Sequence, residues 1–149
     1  MAGAETVLGL DFGDKTVGVA ISDGLFLTAQ ALETIRRERI NKWRRTLARI
    51  EEICKERGVQ RIVLGLPKGL DGIEGERCAL TREFQEALTK RLGLPVELED
   101  ERFTTAASER VLKETGVAPR SFKTYSDMVS AALILDSWME RRRLEGTKE

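Results

Sequence analysis

The chain has 149 residues, of which 41% are hydrophobic and 34% are charged, a balance typical of a globular protein with a highly charged surface. Lys plus Arg and Asp plus Glu both number 25, so the net charge of zero gives no sign of a polyanionic partner. Histidine is absent, which excludes Ser–His and Cys–His nucleophile pairs and histidine metal sites. Catalysis would therefore depend on carboxylates, Lys, Tyr, Cys or a metal ion held by oxygen atoms.

The first part of the chain predicts a three-stranded antiparallel meander. Apolar segments at Thr6–Asp11 and Thr16–Ser22 flank a tight turn at Gly13–Asp14, and Phe26–Ile35 can supply the third strand. A helix is expected over Ile40–Arg57, because apolar residues recur there every three or four positions.

The rest of the chain alternates strands with helices. The predicted order, β-β-β-α-β-α-β-α-α, indicates an α/β fold with a mixed five-stranded sheet, in which parallel strands extend the antiparallel meander and helices cover both faces. We expect a single domain over residues 1–149, with a frayed tail over about 144–149. The later elements are a strand at Arg61–Leu66, a helix at Glu76–Leu92, the strand PVELED, the helix TTAASERVLKE, the basic loop VAPRSFKT and a helix starting near Tyr125.

The two cysteines and the hydropathy pattern indicate a cytoplasmic protein. Cys54 and Cys78 form neither a CxxC pair nor a metal-binding cluster, so we expect reduced thiols. Cys54 lies on the apolar side of a predicted helix, which favours a buried structural thiol. The sequence has no signal-peptide pattern and no apolar run long enough to cross a membrane.

Acidic residues stand at the ends of predicted elements. Asp11 ends the first strand, Asp100 and Glu101 end the VELE strand, and Asp127 opens the last helix. Ligand sites collect at the carboxyl ends of parallel strands, so we expect these acids to meet at one edge of the sheet. Crowded carboxylates repel one another unless a hard cation lies between them, which predicts one or two Mg²⁺ or Mn²⁺ ions. Two such ions about 4 Å apart can cleave a phosphodiester without histidine.

Each acidic residue also has a structural alternative. Asp11, before Gly13, can be a turn former. The acidic run Glu97–Glu101 can be a solvated face. Asp127 follows Thr124 by three positions and can belong to a capping box, which for Asp127 alone is the favoured interpretation.

Basic residues cluster more than the total charge suggests. Nine Lys or Arg accompany four Glu between Arg36 and Arg57, which favours a solvated helix face but also suits a phosphate backbone. Other basic residues adjoin the predicted metal ligands or lie in the glycine-rich loop GLPKGLDGIEG and the basic loop VAPRSFKT. The candidates for nucleic-acid binding are Lys15, Lys68, Arg102, Arg120 and Lys123.

Four segments together resemble the YqgF/RuvX family of candidate Holliday junction resolvases, also described as candidate pre-16S rRNA nucleases. They are GLDFGDKTVGVAISD, VLGLPKGLDG, EDERFTTAASERVL and SDMVSAALILDSW, in the family's order and over nearly the whole chain. The resemblance implies an RNase H-like fold and a metal-dependent endonuclease. It also implies that Asp11, Glu101 and Asp127 form the catalytic and metal-binding set, with Asp100 as an additional or substitute ligand. The family often has Arg or Ser after DFGDK, where this chain has Thr16, so Lys15 would contact the phosphate instead.

We therefore expect a metal-dependent endonuclease that hydrolyses phosphodiester bonds in structured nucleic acid. Its substrate would be the 5′ end of pre-16S rRNA, a branched DNA junction, or both. Symmetric junction cleavage calls for a homodimer, with exposed positions on the helices of Trp43 and Trp138 as candidate interfaces.

Two other functional classes remain open from the sequence. One is a nucleic-acid-binding or ribosome-assembly factor without catalysis, because acidic residues alone do not prove turnover. The other is an ATPase of the actin and sugar-kinase type, which also begins with a DxG strand–turn–strand. Such ATPases clasp the nucleotide between two domains of this kind, and this chain has room for one.

Overall fold

A computed structural model describes residues 5–22, 28–39, 42–68, 72–101 and 122–147. The described residues form five strands and three helices, and the predicted helix TTAASERVLKE lies outside them. The elements are β1 (Val7–Phe12), β2 (Thr16–Ser22), β3 (Ala29–Arg36), α1 (Arg44–Arg57), β4 (Arg61–Leu66), α2 (Glu76–Leu92), β5 (Val96–Asp100) and α3 (Phe122–Thr147).

The five strands form one mixed sheet in the order β3-β2-β1-β4-β5, which confirms the predicted meander with added parallel strands. β1 and β3 each pair antiparallel with β2, whereas β4 is parallel to β1 and β5 is parallel to β4. β1, β3, β4 and β5 therefore all end at the same edge, which we call the carboxyl edge. Because α1 follows β3 and α2 follows β4, both helices also begin there.

Helix boundaries differ from the sequence prediction in ways that side-chain packing explains. α1 begins at Arg44 rather than Ile40, and Trp43 precedes its first turn. The Trp43 indole packs edge-on against Phe12 and Phe84, with ring centroids 5.9 and 5.5 Å apart, which holds the chain before the helix starts. α3 begins three residues before the predicted start and continues to Thr147, so helix occupies residues 144–147 of the segment expected to fray.

Side chains of each strand alternate between two apolar layers, so helices cover both faces of the sheet, as predicted. In β1, Leu8, Leu10 and Phe12 face α1 and α2, whereas Val7 and Gly9 face α3. The layer between the sheet and the helices α1 and α2 consists mainly of large apolar side chains packed against one another. Both cysteines are buried free thiols, which agrees with the structural role expected of Cys54.

Between the sheet and α3, the helix backbone itself contacts the strands at two glycines. A Cβ added to Gly9 would lie 2.8 Å from Leu135 Cβ and 2.9 Å from the Ala131 carbonyl oxygen. A Cβ at Gly18 would overlap the carbonyl oxygen of Asp127. α3 therefore lies directly on β1 and β2 because these two positions lack side chains.

Trp138 does not offer an exposed interface. Its side chain is 1% exposed and packs beneath α3 with Met139 and Val63. A homodimer through other positions of these helices stays a prediction. In the part of the chain that the structure describes, no helix combines the length and apolar character that a membrane crossing requires.

The close approach of α3 predicts a strong effect of Gly18→Ala. The new methyl group must push the Asp127 backbone away from β2, so we expect a loss of about 2–3 kcal/mol in the free energy of unfolding. Urea denaturation measures this loss. Gly75→Ala is the matched control, because its methyl group would meet no atom within 4 Å, and it should cost at most about 1 kcal/mol. Equal losses in the two variants would contradict the proposed close contact.

Candidate active site

Three acidic residues from distant parts of the sequence meet on the α3 side of the carboxyl edge. Asp11 is the penultimate residue of β1, Glu101 directly follows β5, and Asp127 lies in the second turn of α3. The Glu101 amide donates to the Leu66 carbonyl at 3.2 Å, which continues the pairing with β4 past the end of β5. A Cβ at Gly65 would overlap the Glu101 carboxylate, so this glycine leaves the room that the carboxylate occupies.

Burial and mutual repulsion raise the pKa values of two of these acids. The pKa of Asp11 rises to about 7, first because of burial and then because of the negative charge of Asp127. The pKa of Glu101 rises to about 8, again mainly through burial, followed by the charge of Asp11. Asp11 therefore interacts electrostatically with both partners, and the three acids share one site. Arg77 opposes both shifts with its positive charge.

Asp127 is held by a contact across the fold and not by a capping box. α3 starts at Phe122, which puts Thr124 and Asp127 inside the helix and makes the capping interpretation wrong. Instead, the Thr16 hydroxyl donates a 2.8 Å hydrogen bond to Asp127 Oδ2. Thr16 is buried, so this bond fixes the carboxylate beside the end of β1.

The acidic run at the end of β5 divides between the two faces of the sheet. Strand alternation directs Glu99 and Glu101 toward α3, and Asp100 toward the opposite face. Glu99 is buried, where it accepts a 3.0 Å hydrogen bond from Ser137 and pairs with Arg141. The solvated-face interpretation is therefore wrong for Glu99. Alternation also favours Glu101 over Asp100 as the partner of Asp11.

Arg77 is a site residue that the sequence analysis missed. It lies in the first turn of α2, and its guanidinium donates to the Phe12 carbonyl at 2.9 Å and pairs with Asp14. A cation is unfavourable at a helix N-terminus, where the helix dipole is positive. That mismatch, together with the start of α2 at the carboxyl edge, was the signal that could have identified it.

The predicted nucleic-acid-binding residues are only partly described. Lys15 is exposed in the β1–β2 turn, and Lys68 is half-buried just beyond β4, so both lie at the carboxyl edge. Arg102, Arg120 and the Lys123 side chain lie outside the described residues.

The basic segment between residues 36 and 57 has two parts. Arg37 and Arg39 lie at the carboxyl edge just beyond β3, and α1 then leads away from that edge. Arg49, farther along α1, forms a bidentate ion pair with Glu33 at 2.7 and 3.0 Å and a second pair with Glu52. The solvated-face interpretation therefore fits Arg49 but does not explain the residues at the edge.

The chemistry of these ligands fits a hard divalent cation. Carboxylate oxygens are the ligands that Mg²⁺ and Mn²⁺ prefer, and a cation would relieve the repulsion that raises the pKa of Asp11 and Glu101. Within the described ranges, no group of three Asp, Glu or Cys side chains already encloses a metal-sized space.

Comparison with known proteins identifies the family. The sequence matches the family described as "RuvX: Holliday junction resolvase" over residues 5–141. The chain belongs to the RuvX family. A relative from Agathobacter rectalis, named "Putative pre-16S rRNA nuclease", is 51% identical over 90% of this chain and 94% of its own. A relative of the same name from Symbiobacterium thermophilum is 48% identical over 90% of this chain and 91% of its own.

A solved structure supports the fold independently of sequence. RuvC of T. thermophilus in complex with a Holliday junction substrate superimposes with a TM-score of 0.61, covering 93% of this chain and 96% of that one. At 17% identity this likeness concerns the fold alone. It confirms that this RuvX protein has the RNase H-like fold that its sequence predicts.

The raised pKa of Asp11 predicts a pH-dependent gain in stability for Asp11→Asn in EDTA. Because folding disfavours the charged form, wild type loses stability as pH rises from about 4, the pKa of an unfolded Asp, to about 7. The melting temperature of the variant relative to wild type should therefore increase between pH 5 and pH 8, by roughly 3 °C or more.

The matched control for this pH series is Asp136→Asn, which removes an exposed carboxylate from α3. Its melting temperature relative to wild type should stay constant across the same pH range. A constant difference for Asp11→Asn as well would show that the Asp11 carboxylate is not destabilised by its surroundings.

Proposed function

We propose that this RuvX protein is a metal-dependent endonuclease that cleaves a phosphodiester bond in structured nucleic acid. The observation that carries the proposal is the meeting of Asp11, Glu101 and Asp127 at the carboxyl edge, buried enough that the pKa values of Asp11 and Glu101 rise. Three partly buried carboxylates close together are costly for the fold, and a divalent cation would offset that cost. The names of the family and of its relatives support nucleic acid as the substrate.

Asp11, Glu101 and Asp127 would hold one or two Mg²⁺ or Mn²⁺ ions, and Asp100 is the less favoured ligand. Bound ions of this kind supply activation of a water molecule and stabilisation of the leaving oxygen. Thr16 would orient Asp127 through its hydroxyl hydrogen bond. The exposed Lys15 and the half-buried Lys68 would attract the phosphate backbone to this edge.

Ribosomal RNA precursor is the substrate that we propose first. Relatives that share 42–51% identity carry the name of a pre-16S rRNA nuclease, whereas the similarity to RuvC extends to the fold alone. The cut would fall at the 5′ end of pre-16S rRNA. We assign this activity to the cytoplasm, because the two cysteines are free thiols. Symmetric cleavage of a four-way junction would in addition require two copies of the site.

Asp11→Asn should abolish cleavage while the protein remains folded. We expect a loss of at least about 100-fold in the rate of cutting a pre-16S rRNA fragment in Mg²⁺, since the variant loses a charged ligand. Asp136→Asn removes an exposed carboxylate from α3 and should cut like wild type. Normal cutting by Asp11→Asn would refute the mechanism. Binding without any cutting by wild type would favour an assembly factor, and tight ATP binding would favour an ATPase.

Metal binding can be tested apart from activity. Titration with Mn²⁺ should raise the melting temperature of wild type, because the ion binds the folded state alone. The same titration should have little effect on Glu101→Gln. Asp100→Asn is the matched comparison, because its carboxylate lies on the other face, and it should respond like wild type. If Mn²⁺ instead stabilised Glu101→Gln but not Asp100→Asn, Asp100 would be the ligand.

A further inference from the structure

Two arginines from separate elements converge on the turn between β1 and β2. Arg77 of α2 donates from Nη2 to the Phe12 carbonyl at 2.9 Å, and Arg37, just beyond β3, donates from Nη2 to the next carbonyl, that of Gly13. The Arg37 backbone amide also donates to the Lys15 carbonyl at 2.8 Å. The two guanidinium groups are thus held on consecutive peptide units at the carboxyl edge.

The pair carries two like charges close together. The pKa of Arg37 is lowered to about 10, first by burial and then by the positive charge of Arg77. Asp14 offsets this repulsion, since it pairs with Arg77 and its charge also acts on Arg37. The Asp14 side chain is 77% exposed, so it can leave the pair for water at little cost.

The cluster has a donor without an acceptor. Arg37 Nη1 is buried and, among the described residues, makes no hydrogen bond. The Arg37 guanidinium lies over the Phe12 ring, 4.5 Å from its centroid, which fixes its plane. A buried N–H without a partner costs free energy, which any acceptor that reached it would recover.

This cluster adjoins the proposed catalytic carboxylates. The positive charge of Arg77 lowers the pKa of both Asp11 and Glu101 and also acts on Arg37, so its guanidinium lies within electrostatic range of the acids and of Arg37. An anion on the arginine pair would therefore lie at the carboxyl edge, within electrostatic range of the proposed catalytic carboxylates.

We propose that Arg37 and Arg77 form a subsite for a backbone phosphate adjacent to the cleaved one, and that Asp14 occupies this subsite in the free protein. The inference rests on the proposed function, because it needs a nucleic-acid strand at the carboxyl edge. Arginine forks bind phosphate oxygens in a bidentate manner, and the two non-bridging oxygens of a backbone phosphate could accept from both guanidinium groups, whereas the Asp14 carboxylate is paired with Arg77. Asp14 thus competes with the substrate phosphate and lowers the affinity of any strand that must displace it.

A purely structural role for the two arginines makes a different prediction. If they only fasten the β1–β2 turn, removing the Asp14 charge should leave affinity for nucleic acid unchanged beyond the effect of overall charge. If Asp14 competes with phosphate, its removal should tighten binding through Arg77.

The test measures binding of two fluorescently labelled probes in EDTA, which prevents cleavage: a four-way DNA junction and an RNA stem with a single-stranded 5′ extension. We expect Asp14→Asn to tighten binding of both probes by roughly three- to tenfold at low salt, because the backbone phosphate is common to both. Arg77→Gln should weaken binding and reduce the slope of log K against log salt by about one. The double variant should lose the gain seen in Asp14→Asn.

The controls separate this effect from overall charge and from unfolding. Glu52→Gln removes an exposed carboxylate that likewise pairs with an arginine, Arg49, and should change affinity less than about twofold. Asn is as good a turn former as Asp, so Asp14→Asn should melt like wild type. If Arg77→Gln has a clearly lower melting temperature than wild type, Arg37→Gln takes its place. The same reduction in the slope of log K against log salt is expected.

The outcomes distinguish this inference from the proposed function. Unchanged or weaker binding by Asp14→Asn, with normal binding by wild type, overturns the subsite and leaves the nuclease intact. Tightening that persists in the double variant also overturns it, because the gain would not depend on Arg77. Absence of wild-type binding to either probe at any salt concentration overturns the proposed function, and the subsite with it.

Discussion

The contact of the α3 backbone with the bare face of the sheet is the constraint on which the rest of the structure depends. Gly9 and Gly18 remove the side chains that would separate helix and strands, so the Asp127 backbone lies against β2. Only at this distance can the Thr16 hydroxyl reach the Asp127 carboxylate and the charge of Asp127 act on Asp11. On the other face, large side chains interlock at ordinary distances. The α3 face of the sheet therefore combines apolar packing with assembly of the site.

The site also illustrates how a fold can accommodate charges that oppose it. Asp11 and Glu101 are partly buried with like charge nearby, and Arg77 supplies a cation from the first turn of α2. Glu99, on the same face of β5, is compensated differently, by Ser137 and Arg141 of α3. The charge of Glu99 is therefore balanced by partners within the fold, whereas the charges of Asp11 and Glu101 are balanced only in part. Glu99 thus links β5 to α3, whereas Asp11 and Glu101 retain charge that a ligand could neutralise.

Local patterns in the sequence predicted the strands, the three described helices and a mixed sheet, because periodicity and turn residues act within a few positions. The RNase H-like class came from the family resemblance. Local patterns also placed Asp11, Asp100, Glu101 and Asp127 at one edge of the sheet, and the family resemblance selected Glu101 over Asp100. What they missed depends on contacts between distant segments. Thr16 was noted only as a departure from the family, although it bonds a residue 111 positions away. Arg77 and the burial of Glu99 were missed. The local sequence of a helix start or of an acidic run is the same whether or not another element packs against it.

The order of elements along the chain has a consequence for synthesis. The sheet is complete once β5 has been made, and Asp11 and Glu101 are then present, but the third carboxylate belongs to the final helix. Until α3 packs, Val7, Ala20 and Val63 lack their cover, and Thr16 lacks its acceptor. A chain still emerging from the ribosome therefore carries an incomplete acidic set. If the proposed nuclease activity needs all three acids, the chain would stay inert toward the RNA that surrounds its own translation until the last helix has folded onto the sheet.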